Sequence, residues 1–590
     1  MNLHKNIHGW SFALPCLGVA VFAATFAGHA LYAQAYRRVA PKTPAPVAGG
    51  KIVAPATKTV PTTQPNRVIL QKLRGLVLIP NAKALVRTGY TGALPANGIL
   101  IKNLPLLDRP RFLRQLAPRI GRPFTLSDIQ SLSSQVVQWY TRHGRPLMEV
   151  TVPPQNISSG IVQVVVTQYR VGKVNVTGNK WFSSKLLRFE SGIQVGRPIT
   201  INELQADLNW LNSNPFRQVN AVFSPGALPG QTDVNLQTRD QFPLRVYSGY
   251  DNEGVPSLGR NEYNVGFNWG NAFGLDQLLS YQFTRSFSGN YTAHSVDWVI
   301  PLPWRDRVMI FGSYEQEKAG LNSSFSTLGE SGQASIRYIH PLPAPSWLSQ
   351  SVGLGYDFKT TNNNLEFGGT QVSNAQNSLN QMLFIYHAAE TDPFGRTDLQ
   401  NQLVASFGAF SGMNNSSPPP NSAGLAYPAN YLYDQVALTR ITLLPWGLSS
   451  VTRLVGQIAD HNLPDSEELD AGGVGSVRGY NPETALGSEG ELISEEIRGP
   501  AFDPVGFLHL PTKLRSAAQL GVFIDYADVY QVRDSATAGG RADLASAGVE
   551  MNYVLGNNLS IDMDYGQQLR RAPGATNKGG QFDIAISVGF

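Results

Sequence analysis

The chain ends on nine residues, 582–590, with the sequence FDIAISVGF, in which apolar residues alternate with polar or small ones. A period of two is typical of a β-strand with one apolar face. The stretches 547–553 and 559–566 alternate in the same way. An amphipathic strand that ends the chain on an aromatic residue is typical of proteins inserted in a bacterial outer membrane. We therefore predict that Phe590 faces lipid, closes a barrel and serves as its insertion signal.

Strand-like stretches separated by turn signals continue from about Leu244 to Phe590. A soluble sandwich would alternate too, with its apolar face in a core, whereas the apolar face of an outer-membrane barrel contacts lipid. A predicted export signal, the abundance of aromatic residues (22 Tyr and 27 Phe) and the amphipathic last strand that ends on an aromatic residue favour the barrel. At roughly 20–22 residues for each strand and its connection, residues 244–590 predict about 16 antiparallel transmembrane strands.

The first 35 residues have the pattern of a secretory signal peptide. A short basic start precedes an apolar run from Phe12 to Phe26, and small residues follow up to Ala35. An apolar run of about 15 residues is short for a membrane-spanning helix, which needs about 20. The only cysteine, Cys16, lies in this segment. Removal of the signal would leave no thiol for a disulfide, a metal ligand or a nucleophile.

Residues 36–97 are predicted to be a linker followed by a short ordered lead-in. The part from Tyr36 to Asn66 is rich in Pro, Ala and Thr and has no apolar stripe, a composition that disfavours a helix. Residues 73–79 have the composition of a strand, but the sequence does not indicate its partner.

An internal repeat follows: GRPFTLSDIQ at residues 121–130 recurs as GRPITINELQ at residues 196–205. Each copy has a threonine three residues before an acid, the spacing of a capping box at the start of a helix. Strand-like stretches flank both helices, so residues 98–170 and 171–243 are predicted to be two small α+β modules. Such modules could be spacers, or an exposed sheet edge could bind an extended peptide. The sequence supports both interpretations equally.

The sequence lacks the common catalytic and cofactor-binding motifs. It has no Gly-x-Ser-x-Gly elbow, no His-Glu-x-x-His helix and no Walker-type phosphate loop, and its nine histidines are not at ligand spacing. The net charge is +5, with no basic tract interleaved with aromatic residues. We therefore predict that the protein is not an enzyme, has no catalytic residue, cofactor or metal, and does not bind nucleic acid.

The most unusual local sequence is GGVGSVRGY at residues 472–480, which contains Arg478. It could simply be a glycine-rich outer loop with a solvated arginine. The alternation along residues 518–526 offers another interpretation, because it turns Phe523 and Asp525 toward the lumen. An inward Asp525 could form a bidentate, charge-assisted pair with Arg478 if the loop folds into the barrel.

Three features together resemble the TpsB transporters of two-partner secretion, also called haemolysin secretion/activation proteins. They are the tandem modules, the loop motif and the Phe523-x-Asp525 strand motif, and the resemblance extends from about Gly98 to Phe590. The loop motif comprises Val477, Arg478, Gly479 and Tyr480.

The resemblance implies two periplasmic POTRA domains, a 16-stranded barrel and a loop around residues 472–498 that folds into the lumen, where Arg478 contacts Asp525. It also implies that the protein captures an unfolded TpsA-like exoprotein in the periplasm and secretes it through the barrel without ATP. The expected location is the outer membrane, with lipid and the barrel-assembly machinery as further partners, and porin-like ion conduction is expected. Many members of the family have an N-terminal helix that plugs the pore, but residues 36–66 predict that the plug is missing or replaced.

Two alternatives remain open at this point. One is a barrel-assembly factor of the same superfamily, which would insert other barrels into the membrane. The other is a passive solute pore, in which the modules would be periplasmic scaffolding.

Overall fold

The structure is a computed structural model of the chain. It describes residues 34–46, 50–53, 67–320, 325–345, 347–367, 370–408, 420–507, 516–532, 540–556 and 558–590. Most of the predicted signal peptide and much of the predicted linker therefore lie outside the described residues. The chain forms two compact units, one made of residues 1–45 and 242–590 and the other of residues 46–241. No described helix is long and apolar enough to cross a membrane.

The first described element is helix α1, Gln34–Val39, which belongs to the first unit. The second unit contains the following elements in chain order: β1 (Ile52–Val53), β2 (Val68–Leu70), β3 (Gly75–Ile79), β4 (Ile99–Ile101), α2 (Pro110–Leu116), β5 (Phe124–Thr125), α3 (Leu126–Arg142), β6 (Met148–Thr151), β7 (Ile161–Gln168), β8 (Arg170–Thr177), α4 (Ser184–Glu190), α5 (Ile201–Leu211), β9 (Arg217–Pro225) and β10 (Gln231–Asp240). They form two α+β modules.

The first module has a sheet in the order β4-β3-β7-β6. Strand β3 lies in the middle of it, parallel to both β4 and β7. Its alternate residues pack on opposite faces: Leu76 and Leu78 join the core under α2 and α3, and Val77 and Ile79 join a second cluster. The module therefore begins well before residue 98, and the segment predicted as a lead-in supplies its central strand. The sequence could not show this because both neighbours of β3 come from distant parts of the chain.

Helix α3 begins with the capping box that the repeat predicts. The Thr125 hydroxyl accepts a hydrogen bond from the Asp128 N–H at 3.2 Å, and the Asp128 carboxylate accepts one from the Thr125 N–H at 2.8 Å. In the second copy the capping box is not formed. The Thr200 hydroxyl instead donates to the Glu203 carboxylate at 2.5 Å, and the Thr200 side chain makes no hydrogen bond to the helix backbone. The prediction of a second capping box was therefore wrong.

The second module has a sheet in the order β1-β9-β10-β8. Strand β1 comes from the segment predicted to be a linker, and it pairs with β9 in parallel, placing Ile52 opposite Ala221. Part of the linker is thus ordered as an edge strand. Two residues are too few for alternation to be visible in a sequence.

The first unit is a closed antiparallel barrel, which confirms the predicted fold class. Its sixteen strands are β11 (Leu244–Asp251), β12 (Glu262–Ala272), β13 (Gln277–Ser286), β14 (Tyr291–Pro301), β15 (Arg307–Gly320), β16 (Phe325–Leu342), β17 (Leu348–Phe367), β18 (Thr370–Asp392), β19 (Gly395–Ser406), β20 (Tyr431–Leu443), β21 (Ser449–Ala459), β24 (Glu489–Arg498), β25 (Ser516–Tyr530), β26 (Arg541–Leu555), β27 (Leu559–Gln568) and β28 (Gly580–Gly589). Two short strands, β22 (Leu469–Ala471) and β23 (Ala485–Gly487), lie in one loop, and helix α6 (Pro504–Phe507) lies in another connection.

The last strand closes the barrel by pairing with the first. Strands β28 and β11 pair from Tyr247 opposite Gly589 to Asp251 opposite Ala585. Beyond this ladder, the Phe590 N–H donates to the Val246 carbonyl at 2.9 Å, and the Val246 N–H donates back at 3.1 Å. The Phe590 side chain is 83% exposed on the barrel surface. The terminal aromatic thus extends the closing seam by one more residue.

Helix α1 lies inside the barrel. Along β14, Val296 is exposed on the outer surface, whereas Tyr291 and Ala293, which have the opposite parity, are buried against α1. The Tyr36 ring lies 4.8 Å from that of Phe311, and its hydroxyl donates to the Val296 carbonyl at 2.6 Å.

The composition of residues 36–66 disfavours a helix, but the structure has a short one that extends to Val39. Helix α1 has six residues, too few for an apolar stripe to stand out, and only its contact with the wall shows its role. Its first two residues belong to the predicted signal peptide, and the residues that contact the wall follow that boundary.

Candidate functional site

The loop between β21 and β24, residues 460–488, folds back against the inner wall of the barrel. Strands β22 and β23 pair within it, with Leu469 opposite Gly487. Val477 and Tyr480 are almost fully buried among wall residues that include Ala527 and Leu544. The inward-folded segment therefore differs from the predicted range 472–498, because residues 489–498 form barrel strand β24.

Arg478 forms a bidentate pair with Asp525 of β25. Its Nε donates to one carboxylate oxygen at 2.8 Å and its Nη2 donates to the other at 2.8 Å. The Arg478 backbone N–H donates a third hydrogen bond to the same carboxylate at 3.0 Å. Asp525 is fully buried and Arg478 is 5% exposed. Both the backbone and the side chain of the loop are thus held by one carboxylate, an arrangement that fixes position as well as charge.

Three more carboxylates surround the same guanidinium. The Arg478 Nη1 lies 2.9 Å from Glu496, 3.1 Å from Glu550 and 3.5 Å from Asp564. A second cation, Arg498, bonds to Glu550 at 2.8 Å and to Glu496 at 2.5 Å. No motif in the sequence marks these residues as members of the site. Alternation along β26 and β27 does turn Glu550 and Asp564 inward, but the register between strands that brings them to one point appears only in the fold.

The carboxylates of this cluster favour the charged form of Arg478. Burial lowers the pKa of the Arg478 guanidinium, but the hydrogen bond and the charge of Asp525 outweigh it, so the pKa lies above its ordinary value. Arg478 therefore stays charged at any physiological pH. Among the residues that the structure describes, no group of His, Cys, Asp or Glu side chains has an arrangement that could hold a metal ion.

Phe523 lies on the same inward face of β25 as Asp525. The Arg478 guanidinium carbon lies 3.5 Å from the centre of the Phe523 ring, and the ring is 4% exposed. A stacked aromatic face attracts a guanidinium and limits its orientation. The two residues of the strand motif thus contact one arginine, Phe523 by its face and Asp525 by its carboxylate.

Tyr480 attaches the other end of the motif to the wall. Its hydroxyl oxygen lies 2.9 Å from the Ala545 carbonyl oxygen and 2.7 Å from that of Arg570, and it accepts from the Ala545 N–H at 3.3 Å. The Gln568 side-chain amide donates to the Gly479 carbonyl at 2.8 Å. Consecutive residues of the loop motif therefore bind different strands, which resists both rotation and lifting of the loop.

The family comparison decides what kind of barrel this is. A family described as haemolysin secretion/activation protein ShlB/FhaC/HecB matches residues 230–553, more than half of the chain. The chain belongs to the haemolysin secretion/activation family. The POTRA domain of ShlB type matches residues 94–168, within the first module.

Individual proteins that are similar to this chain agree with this assignment. The heme/hemopexin transporter protein HuxB of Haemophilus influenzae strain 86-028NP is 21% identical over 69% of this chain and 70% of its own length. The outer membrane transporter CdiB of Dickeya dadantii strain 3937 is 22% identical over 65% of this chain and 68% of its own. The solved structure of CdiB from Escherichia coli has a TM-score of 0.69 at 15% identity, covering 91% of this chain and 94% of that one.

These findings confirm the resemblance and the predicted location. The protein is a member of the two-partner secretion transporters, a family of transporters and not of enzymes. Its barrel lies in the outer membrane, and the POTRA region lies in the periplasm.

Gly479 offers a test of how tightly the family loop fits against the wall. Its φ is +88°, and a Cβ at this position would lie 2.7 Å from the Gly566 carbonyl oxygen. Gly479→Ala should therefore strain the backbone and push the loop from the wall, at a cost of about 1–3 kcal/mol. We expect faster proteolysis of the loop and a lower temperature for loss of the compact, heat-modifiable form on gels.

Gly475 supplies the matched control within the same loop. A Cβ there would meet no atom within 4 Å. Gly475→Ala should behave as the unmodified protein does. Equal protease sensitivity of both variants would contradict the close packing of Gly479.

Proposed function

We propose that the protein secretes a large polypeptide partner across the outer membrane, capturing it unfolded in the periplasm and passing it through the barrel without ATP. The observation that carries the proposal is the clamp of Arg478 on Asp525, in a barrel whose family is a family of secretion transporters. A pore for small solutes would not need a loop attached at several points to its inner wall. A loop that can move within the lumen suits a channel that opens for an exported polypeptide and is otherwise closed.

The loop motif and the strand motif have separate roles in this proposal. Val477 and Tyr480 seat the loop on the wall, Gly479 allows it to approach closely, and Arg478 holds it in register with the lumen carboxylates. Phe523 and Asp525 form the counterpart on β25. We propose that the loop shifts within the lumen during transport, which requires release of both the ion pairs of Arg478 and the apolar contacts of Val477 and Tyr480.

The energy for passage is proposed to come from folding of the exported chain outside the cell. An unfolded polypeptide can cross in an extended form, and its folding on the far side prevents its return. This proposal agrees with a sequence that has no Walker-type phosphate loop. The names of the relatives HuxB and CdiB also describe transporters.

The membrane partners of the barrel are part of the same proposal. Outward-facing Leu520, Val522 and Ile524 are each more than half exposed on β25, as expected of a surface in contact with lipid. Phe590 stands 83% exposed at the closing seam, where we propose that the cell's barrel-assembly machinery recognises it during insertion.

Deletion of the gene tests secretion directly. We expect one large exoprotein to disappear from the culture medium and its unfolded form to appear in the periplasm, with restoration by the wild-type gene on a plasmid. Quantitative proteomics of medium, periplasm and outer membrane would measure this.

The other candidate functions give different outcomes in the same experiment. Loss of several porins from the outer membrane would indicate a barrel-assembly factor instead. An unchanged set of secreted proteins, together with slower uptake of small solutes, would indicate a passive pore.

A further inference from the structure

The charges of this chain are strongly segregated between its parts. The range 67–169, which contains the first module from β2 to β7, has 13 Lys and Arg against 3 Asp and Glu. The barrel range, residues 244–590, has 20 against 34. The net charge of +5 for the whole chain conceals this division. An excess of one sign on a small domain produces a field that attracts partners of the other sign.

The cations of the first module are not neutralised within it. Every residue of the range 67–169 is described, and none of its Lys or Arg side chains forms an ion pair with an Asp or Glu. Arg109, Arg111, Arg114 and Arg142 are all exposed. This differs from the barrel lumen, where Arg478 and Arg498 are surrounded by carboxylates. The first module is therefore able to bind anionic groups without breaking existing pairs.

Several of these cations converge on one concave site. Arg109 and Arg111 come from the start of α2, and Arg142 and His143 come from the end of α3. Together with Leu106 and Trp139 they line a pocket of about 410 Å³. Arg109 and Arg142 are more than 30 residues apart in the sequence, so only the packing of the two helices brings them to the same pocket.

Hydrogen bonds and ring contacts hold the aromatic base of the pocket. The Trp139 indole N–H donates to the Leu106 carbonyl at 2.7 Å, and its ring lies 5.1 Å from that of Phe112. The His143 Nδ1 lies 2.7 Å from the Trp139 carbonyl oxygen, and the two rings are 4.8 Å apart. A guanidinium group at the rim of such an aromatic base can bind a carboxylate through two parallel hydrogen bonds.

We propose that this pocket of the first module binds acidic side chains of the exported polypeptide while that polypeptide is extended in the periplasm. The inference rests on the proposed secretion function and adds the chemistry by which the partner is recognised. In an extended chain, side chains two residues apart lie on one side at roughly 6.5–7 Å spacing. Acidic residues at that spacing could engage Arg109 and Arg142 in turn.

A polypeptide fits this surface better than a membrane does. Membrane-surface sites combine basic residues with large exposed apolar ones that enter the lipid boundary. In the range 67–169 the large apolar side chains that are exposed are Val68 and Val86, and neither lines the pocket. Lipid headgroups share the anionic chemistry, so vesicles belong in the test.

Charge reversal at the pocket tests the proposal in the full-length protein in detergent. The probe is a fluorescein-labelled peptide of alternating Glu and Thr, and its partner probe has Gln in place of every Glu. We expect R109E/R142E to weaken binding of the acidic peptide at least about 10-fold, because both guanidinium groups become carboxylates. The Gln peptide should bind at least about 10-fold more weakly than the Glu peptide to the unmodified protein, because it cannot form charge-assisted pairs.

A double variant with the same change in charge provides the control. Lys83 and Arg87 are exposed residues of the same module, on either side of Leu85, which packs in the cluster on the opposite face of the sheet. K83E/R87E should weaken binding less than about twofold. If both double variants weaken binding equally, the peptide does not bind at the pocket, and its attraction comes from the overall positive charge of the module. Equal affinity for the Glu and Gln peptides would overturn acidic recognition.

Two further measurements complete the test. The first measures binding to vesicles that contain phosphatidylglycerol. If the vesicles bind more tightly than the peptide, and only when the pocket is intact, then the occupant is a lipid headgroup and not a polypeptide. In cells, R109E/R142E should lower secretion of the partner while R109K/R142K restores most of it, with the heat-modifiable barrel band unchanged. Wild-type secretion by R109E/R142E would contradict the role of the pocket but not the secretion function. If the secretion function itself is wrong, deletion of the gene will leave the set of secreted proteins unchanged.

Discussion

Arg478→Ala is expected to lower secretion of the partner polypeptide at least about 10-fold while the barrel remains folded. The variant leaves Asp525, Glu496, Glu550 and Asp564 around an empty position, so buried carboxylates lose their shared cation. Removal of one partner from a buried ion pair costs about 3–5 kcal/mol. A cost of about 1.4 kcal/mol already changes an equilibrium tenfold. The loop should therefore leave its place on the wall.

Secretion of the partner into the medium, measured by immunoblot against the periplasmic pool, would check this result. Asp525→Ala should give a similar defect, because the three hydrogen bonds that Arg478 donates to its carboxylate are lost together. Arg478→Lys keeps the charge but cannot form the bidentate contact, so it should lie between the wild type and Arg478→Ala.

The Arg541–Asp528 pair, in which the arginine side chain is exposed, serves as the control. Arg541 bonds to Asp528 between β26 and β25, but its side chain is 70% exposed. Exposed pairs contribute about 0–1 kcal/mol, so Arg541→Ala should secrete normally. Normal secretion by both Arg478→Ala and Asp525→Ala would refute the assignment of the motif to transport.

Arg38→Glu is expected to open the barrel to ions, the second large effect. Arg38 of α1 pairs with Glu262 at 2.9 Å and stacks on the Tyr291 ring at 4.9 Å. Glu315 and Glu483 also attract its guanidinium group electrostatically. Two like charges about 4 Å apart can repel by up to about 4 kcal/mol near a protein surface. We expect α1 to leave the lumen and the single-channel conductance in planar bilayers to rise at least about fivefold.

Two milder substitutions define the cause of that effect. Arg38→Gln removes the ion pair without adding repulsion and should raise conductance less than Arg38→Glu does. Tyr36→Phe keeps the ring contact with Phe311 and loses only the hydrogen bond to Val296, so it should stay close to wild type. Conductance that does not change in Arg38→Glu would show that α1 does not limit the pore.

Much of the barrel was predictable because alternation is a local property. Each strand with one lipid face must place apolar residues at every second position. The stretches 547–553, 559–566 and 582–590 can therefore be identified as strands without knowledge of the strands beside them. The same rule turned Asp525 toward the lumen, and its carboxylate is fully buried there. The repeat at residues 121–130 and 196–205 predicted two modules on the same kind of local evidence, with one capping box formed and one not.

Contacts between distant segments were not predictable in this way. Strand β3 has neighbours from residues 99–101 and 161–168, and α1 is recognisable only by the wall that buries it. Glu496, Glu550 and Asp564 reach Arg478 from three different strands. Their meeting depends on strand register, which no single strand encodes.

The sequence by itself determined that the chain forms an outer-membrane barrel after two α+β modules, because periodicity and repetition are written along the chain. Only the tertiary structure decided which charges meet. It surrounded Arg478 with carboxylates in the lumen, and it left Arg109 and Arg142 unpaired at one pocket of the first module. The physical reason is that an ion pair acts over a few ångströms in space, whereas its partners can be any distance apart in the chain.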